Sequence, residues 1–265
     1  MALFGVLTLA VASSIGSNCH STAGFEKLWA SYAQRWLIVG EDHGTNEEPE
    51  AFFNLVCQAS AKREVTVAVE QAASEQAAID TFISSNGDKQ ARDTFLKSPI
   101  WYGTFRDGRS SRAYFLLFER LRALHQAGRV RSVIAFQPAG AADAGSYEKA
   151  MAEELVRHSP PKSFTIALVG SVHAMRTAVS FGGPPYLPMA GNLPASQTMT
   201  IEMKGAGGRQ WACQSPTDCG PSEVEQEGGP PPVGLNLTTN AKDPYSGTLG
   251  LNGPTTASEP QIPAR

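Results

Sequence analysis

The sequence predicts an α/β fold: a mainly parallel central sheet flanked by helices, in a single domain with a Gly/Pro-rich C-terminal extension. Three observations predict it. Short β-branched apolar runs alternate with amphipathic stretches of roughly ten or more residues, the pattern of βαβ units and a parallel sheet. Hydrophobic residues make up 42% of 265, ample for a core. The punctuating residues are uneven: of 18 prolines, eight lie in 220–265, a stretch whose one aromatic is Tyr245.

The elements follow in order. Trp36-Leu37-Ile38-Val39-Gly40 reads as a buried strand. After Pro49, the segment 50–62 sets Phe52, Phe53, Val56 and Ala59 on one helical face. Val65 to Val69 is a second strand, ending at Glu70, and 74–83 a second helix, broken by Asn86-Gly87. The clearest helix spans 110–127, with Ala113, Leu116, Leu117, Leu121 and Leu124 inward and Arg112, Glu119, Arg120 and Arg122 outward; Gly128 ends it. Val130 to Phe136 and Phe164 to Val169 are the third and fourth strands. Between them, 146–158 is a helix with Tyr147, Met151 and Leu155 inward. Met199 to Met203 is a fifth strand. Residues 223–240 read as an exposed loop, and 245–251 as a final edge strand.

Residues 1–18 read as an export signal, an apolar run followed by small residues and lacking the usual basic start. That run is too short to span a bilayer, and no second apolar stretch reaches membrane length. Cys213 and Cys219 can close a small disulfide ring, whereas Cys57, among Phe52, Phe53, Leu55 and Val56, reads as a buried thiol. Disulfide and export signal agree on a periplasmic or secreted protein. Lys plus Arg number 22 against 25 Asp plus Glu, for a net charge of −3, so no basic surplus marks a nucleic-acid partner. The α/β domain is placed at 25–219 and the extension at 220–265.

Ligands of open parallel sheets collect at the carboxyl ends of the strands. There the first strand delivers Glu41-Asp42-His43, the second Glu70 and the fourth His173. Two of these ends share a Gly-x-x-His pattern, read as Gly40 and Gly170 turning the chain off the strand. His20, His125 and His158 have no such placement. Two imidazoles and two carboxylates have two uses: a carboxylate-oriented His43 takes a proton from water or a hydroxyl, or His43, His173 and Glu70 hold a divalent metal. The plainer reading makes Glu41 and Glu70 helix caps. In Asp107-Gly108-Arg109-Ser110-Ser111, a serine can cap the long helix, or Arg109, steered by Asp107, can bind a substrate anion. Trp101, Tyr102 and Phe105 can line an apolar pocket or the core.

The stretch Gly40-Glu41-Asp42-His43-Gly44-Thr45-Asn46-Glu47, the strand-end Glu70 and Gly170-Ser171-Val172-His173-Ala174 resemble the superfamily that joins erythromycin esterases, ChaN-type haem-binding lipoproteins and TIKI/TraB proteins. The likeness covers 36–176. It implies hydrolysis of an ester or amide in a small-molecule or peptide substrate, with His43 as base, Glu41 and Glu70 as its partners and His173 as second imidazole. On the TIKI side it implies a metal-dependent protease, and on the ChaN side haem or metal capture without catalysis; an esterase of this type needs no cofactor. A third alternative is an inactive structural domain. Erythromycin esterases are longer, with a helical insertion over the cleft. No Gly-x-Ser-x-Gly elbow is present, which argues against an α/β-hydrolase mechanism.

Overall fold

A computed structural model describes residues 19–29, 34–102, 106–216, 218–225 and 228–262. The export signal read at 1–18 lies outside them, as does Phe105.

Among the described residues, nine strands and five helices follow one another as β1 (Trp36–Glu41), α1 (Glu47–Ser60), β2 (Val65–Ala72), α2 (Gln76–Ile83), α3 (Lys89–Phe95), α4 (Arg112–Gln126), β3 (Val130–Gln137), α5 (Ala144–His158), β4 (Phe164–Gly170), β5 (Thr198–Lys204), β6 (Gly208–Ser215), β7 (Asp218–Val224), β8 (Gly234–Leu237) and β9 (Gly247–Gly250). Seven of the strands form one sheet in the order β3-β2-β4-β1-β5-β9-β8. All neighbours are parallel except β8, which runs antiparallel to β9 at the edge.

Both faces of this sheet are covered, which is why β1, β2 and β4 read as unbroken apolar runs. Leu37, Val39, Val67 and Ile166 point into the layer formed with α1, α2 and α4. Trp36, Ile38, Ala68 and Ala167 point the other way, against Met151, Ala152 and Leu155 of α5. Trp101 joins the first layer, edge-on to Phe95 and Phe115. On α4 the buried stripe is Ala113, Tyr114, Leu117, Phe118, Leu121 and Leu124, whereas Leu116 is 44% exposed, contrary to its expected inward place. Arg122 and Glu119 are buried instead of outward, Glu119 because it accepts Arg92 Nε at 2.7 Å.

The Gly/Pro-rich end is bound into the sheet. It supplies β9 where an edge strand was expected, but β9 is paired on both sides and the edge is β8, inside a segment read as loop. Its last stretch then lies against the turn after β1 and the start of α4: Ser258 N donates to Gly44 O at 2.7 Å, and Ser258 Oγ accepts the Ala113 N–H at 3.0 Å. Strands β6 and β7 form a separate antiparallel hairpin in which Cys213 faces Cys219 and is disulfide-bonded to it. Cys57 is not the free thiol expected: it is bonded to Cys19, with the two Cα atoms 5.6 Å apart, a partner that 38 residues of sequence separation had concealed.

Candidate active site

Residues on three neighbouring strands meet at the carboxyl edge of the sheet. Glu41 closes β1, Glu70 lies near the end of β2, and Gly170 closes β4 between them, in register with Glu41. The β2–β3 ladder slips register between Val69 and Ala72, the stretch that carries Glu70. His43 and His173 each stand just beyond a strand, His173 on a 3₁₀ turn spanning Ser171–Ala174.

Gly40 and Gly170 do not turn the chain through left-handed backbone; neither has a positive φ. What they supply is room. A Cβ on Gly40 would stand 3.0 Å from the Ala174 Cβ and the Ser171 Cα, and one on Gly170 would stand 3.1 Å from His43 Nε2. The left-handed position is Gly44, with φ +90°, where a Cβ would strike the backbone of Trp211 in the hairpin.

The two imidazoles are held in the same way. His43 Nδ1 is 2.8 Å from Glu41 Oε1, and His173 Nδ1 is 2.8 Å from Glu148 Oε1. Both Nε2 atoms then face Glu70, at 3.5 Å from His43 and 3.7 Å from His173. Glu70 also accepts Arg109 Nη1 at 2.7 Å and the Gly170 N–H at 2.8 Å. The remaining hydrogen bonds of the Arg109 guanidinium go to Asp107, the shortest from Nη2 at 2.7 Å. Ser111, not Ser110, caps α4, accepting the Tyr114 N–H.

Burial works against charge on His43, but the Glu70 charge and hydrogen bonds to Glu41 and Glu70 outweigh it and push its pKa up to about 10. For Glu70, burial favours the neutral acid, yet His43, Arg109 and His173 together hold it well below the usual carboxylate range. His173 is raised despite burial, chiefly by its hydrogen bond to Glu148. The resting site is therefore an imidazolium–carboxylate pair braced by a guanidinium.

Two members escaped the sequence reading. Glu148 is 3% exposed and also accepts the Met189 N–H at 2.7 Å. Tyr114 is buried, and its hydroxyl donates to the same Glu41 oxygen that holds His43. A signal existed for both: each falls on its helix's apolar stripe, Glu148 with Met151, Ala152 and Leu155, and Tyr114 with Leu117, Phe118 and Leu121.

A cleft of about 370 Å³ opens onto these groups. Its floor is Glu41, Asp42, His43, Gly170 and His173, and its roof the hairpin residues Gln210 to Cys213. The hairpin is pinned by Trp211, whose backbone N–H donates to Gly44 O at 2.8 Å and whose indole donates to Arg106 O at 3.1 Å. The expected alternative ligand set, His43, His173 and Glu70, does not fit a metal. Both Glu70 oxygens are engaged, one by the Arg109 cation, and no group of three or more His, Cys, Asp or Glu among the described residues is arranged to hold an ion.

No family model and no curated protein matches the chain. Solved structures do. An erythromycin esterase, an EreC mutant in its open conformation, superposes with a TM-score of 0.57 at 11% identity, over 73% of this chain and 76% of its own. The chain has the erythromycin-esterase fold. The type III effector HopBA1 matches with a TM-score of 0.52 at 15% identity, over 91% of this chain and 97% of that one. For ChaN of Campylobacter jejuni, solved with cofacially bound haem, the TM-score is 0.44 at 9% identity, over 76% and 89%. In the described residues no helix is long and apolar enough to cross a membrane.

Proposed function

We propose that the chain is an exported hydrolase of a small ester or amide, with His43 as the base that takes a proton from water. One observation carries this reading: two imidazoles, each anchored at Nδ1 by a buried carboxylate, line one cleft and turn their Nε2 atoms to the same carboxylate, Glu70. Anchoring at Nδ1 fixes the tautomer in which Nε2 exchanges protons with a ligand. The shared fold and the two disulfides agree with it.

At neutral pH His43 rests protonated against Glu70. A carbonyl and water entering between them separate the pair, which removes the contact that raises the pKa, and the Nε2 proton passes to bulk solvent, leaving Nε2 a free base. Nε2 then takes a proton from the water as its oxygen bonds to the carbonyl carbon. His173, whose pKa Glu148 raises, donates its proton to the leaving oxygen or nitrogen as its bond to carbon breaks. Arg109, neutralised by Glu70 and Asp107, braces Glu70 and is not offered to a substrate anion.

The test is turnover of a panel of esters and amides by purified protein, with haem titrated in parallel. Hydrolysis lost in His43→Ala supports the reading. A Soret band on adding haem, with no turnover of any substrate, contradicts it in favour of haem capture.

A further inference from the structure

Glu48, on the first turn of α1, is fully buried. It falls on the stripe that Phe52, Leu55, Val56 and Ala59 turn into the core, an unusual place for a carboxylate. Its side chain runs back toward the turn that carries His43, where Oε2 accepts the Asp42 N–H at 2.5 Å. Its own N–H donates to Thr45 Oγ1 at 3.4 Å, so both ends of the segment from Asp42 to Thr45 are fastened to one residue. The other carboxyl oxygen, Oε1, is buried without a hydrogen-bond partner among the described residues.

The charged groups acting on Glu48 are Asp42, Glu41 and His43, two of them of its own sign. A buried carboxylate with one hydrogen bond and no cation in contact costs several kcal/mol, and a carboxyl so placed keeps its proton instead. Burial first, then Asp42 and Glu41, hold it well above the usual range.

We propose that Glu48 is a positioning residue for the catalytic turn and works as a neutral carboxylic acid, fixing the backbone before His43 without adding a negative charge beside it. The inference rests on His43 being the proton-transfer group. In this arrangement the charge on His43 is set by Glu41 and Glu70, while Glu48 supplies geometry alone.

Histidine side-chain NMR titration and amide hydrogen exchange on the full chain test this without substrate, so a failure of the hydrolase reading leaves the outcome legible. In Glu48→Gln, an uncharged isostere, the His43 midpoint stays where it is in the wild type and the Asp42 amide stays protected. In Glu48→Ala, exchange at the Asp42 amide speeds up by about tenfold or more, as for a lost hydrogen bond. If Glu48→Gln lowers the His43 midpoint by about one unit or more, Glu48 was an anion and the proposal fails. Unchanged Asp42 exchange in Glu48→Ala removes the positioning role. Should the alanine variant not fold, the glutamine variant still decides the charge state, and loss of Asp42 protection in it equally overturns the proposal.

Discussion

His43 and Glu70 meet 3.5 Å apart, Nε2 to Oε2, across a strand that belongs to neither. The residue between them is Gly170, whose N–H binds Glu70 and whose missing side chain leaves room for the imidazole. Its φ of −56° is open to any residue, so Gly170→Ala tests the clearance and not the backbone. With a methyl 3.1 Å from Nε2, the ring must shift. Gly170→Ala is expected to fold with a melting temperature close to wild type and to lose on the order of 10²-fold in kcat/KM.

The charge pair gives stability its own pH dependence. His43 is raised from 6.5 to about 10, so the stability its cationic form provides is fully present below the unfolded value and is lost as pH rises toward 10. Glu70 is lowered, so its share is present above its ordinary value of 4.5 and is lost as pH falls below that. Melting temperature is therefore expected to decline between about pH 6.5 and 10. In His43→Ala the decline over that window is shallower, which thermal scans across a pH series will read.

Glu148 does for His173 what Glu41 does for His43. Glu148→Gln can still accept the Met189 N–H but removes the charge that raises the His173 pKa. We expect a folded protein whose His173 midpoint falls and whose kcat drops by about 10²–10⁴-fold, with KM little changed. Steady-state kinetics beside a histidine NMR titration will check both.

The C-terminal segment holds the site from outside. Thr256 N donates to Glu47 at 2.8 Å and Arg112 N to Glu259 O at 2.9 Å, beside the Ser258 contacts on Gly44 and Ala113. Ser258→Ala leaves a helix N-terminal N–H unpaired and is expected to cost about 1 kcal/mol in chemical denaturation. Deleting 254–265 removes all these contacts together and is expected to lower both melting temperature and turnover.

Much of this was legible in the sequence, and the reasons are physical. A sheet covered on both faces makes its central strands continuous apolar runs, so β1, β2 and β4 stood out, and the groups they deliver followed from the rule for parallel sheets. The β6–β7 hairpin did not stand out, because its residues are half-exposed on both faces and carry neither an apolar run nor clean alternation. It is held by a disulfide and by backbone bonds to Gly44 and Thr255, which no periodicity records. Strand β8 is short and edge-placed, hidden among prolines. Tyr114 and Glu148 were passed over because an aromatic or an acid on a helix is ordinarily core or solvent-facing. Here each reaches from an apolar stripe to a polar partner at the sheet edge. Gly40 and Gly170 were rightly singled out but for close approach, not for turning.

The most direct measurement is hydrolysis of the best ester or amide substrate by wild type and His43→Ala side by side, with circular dichroism establishing that both are folded. If His43 is the base, the variant loses about 10²–10⁴-fold or more in kcat/KM, and wild-type kcat/KM climbs with pH toward the free-enzyme midpoint near 10. A folded His43→Ala protein that hydrolyses the substrate at the wild-type rate would contradict it.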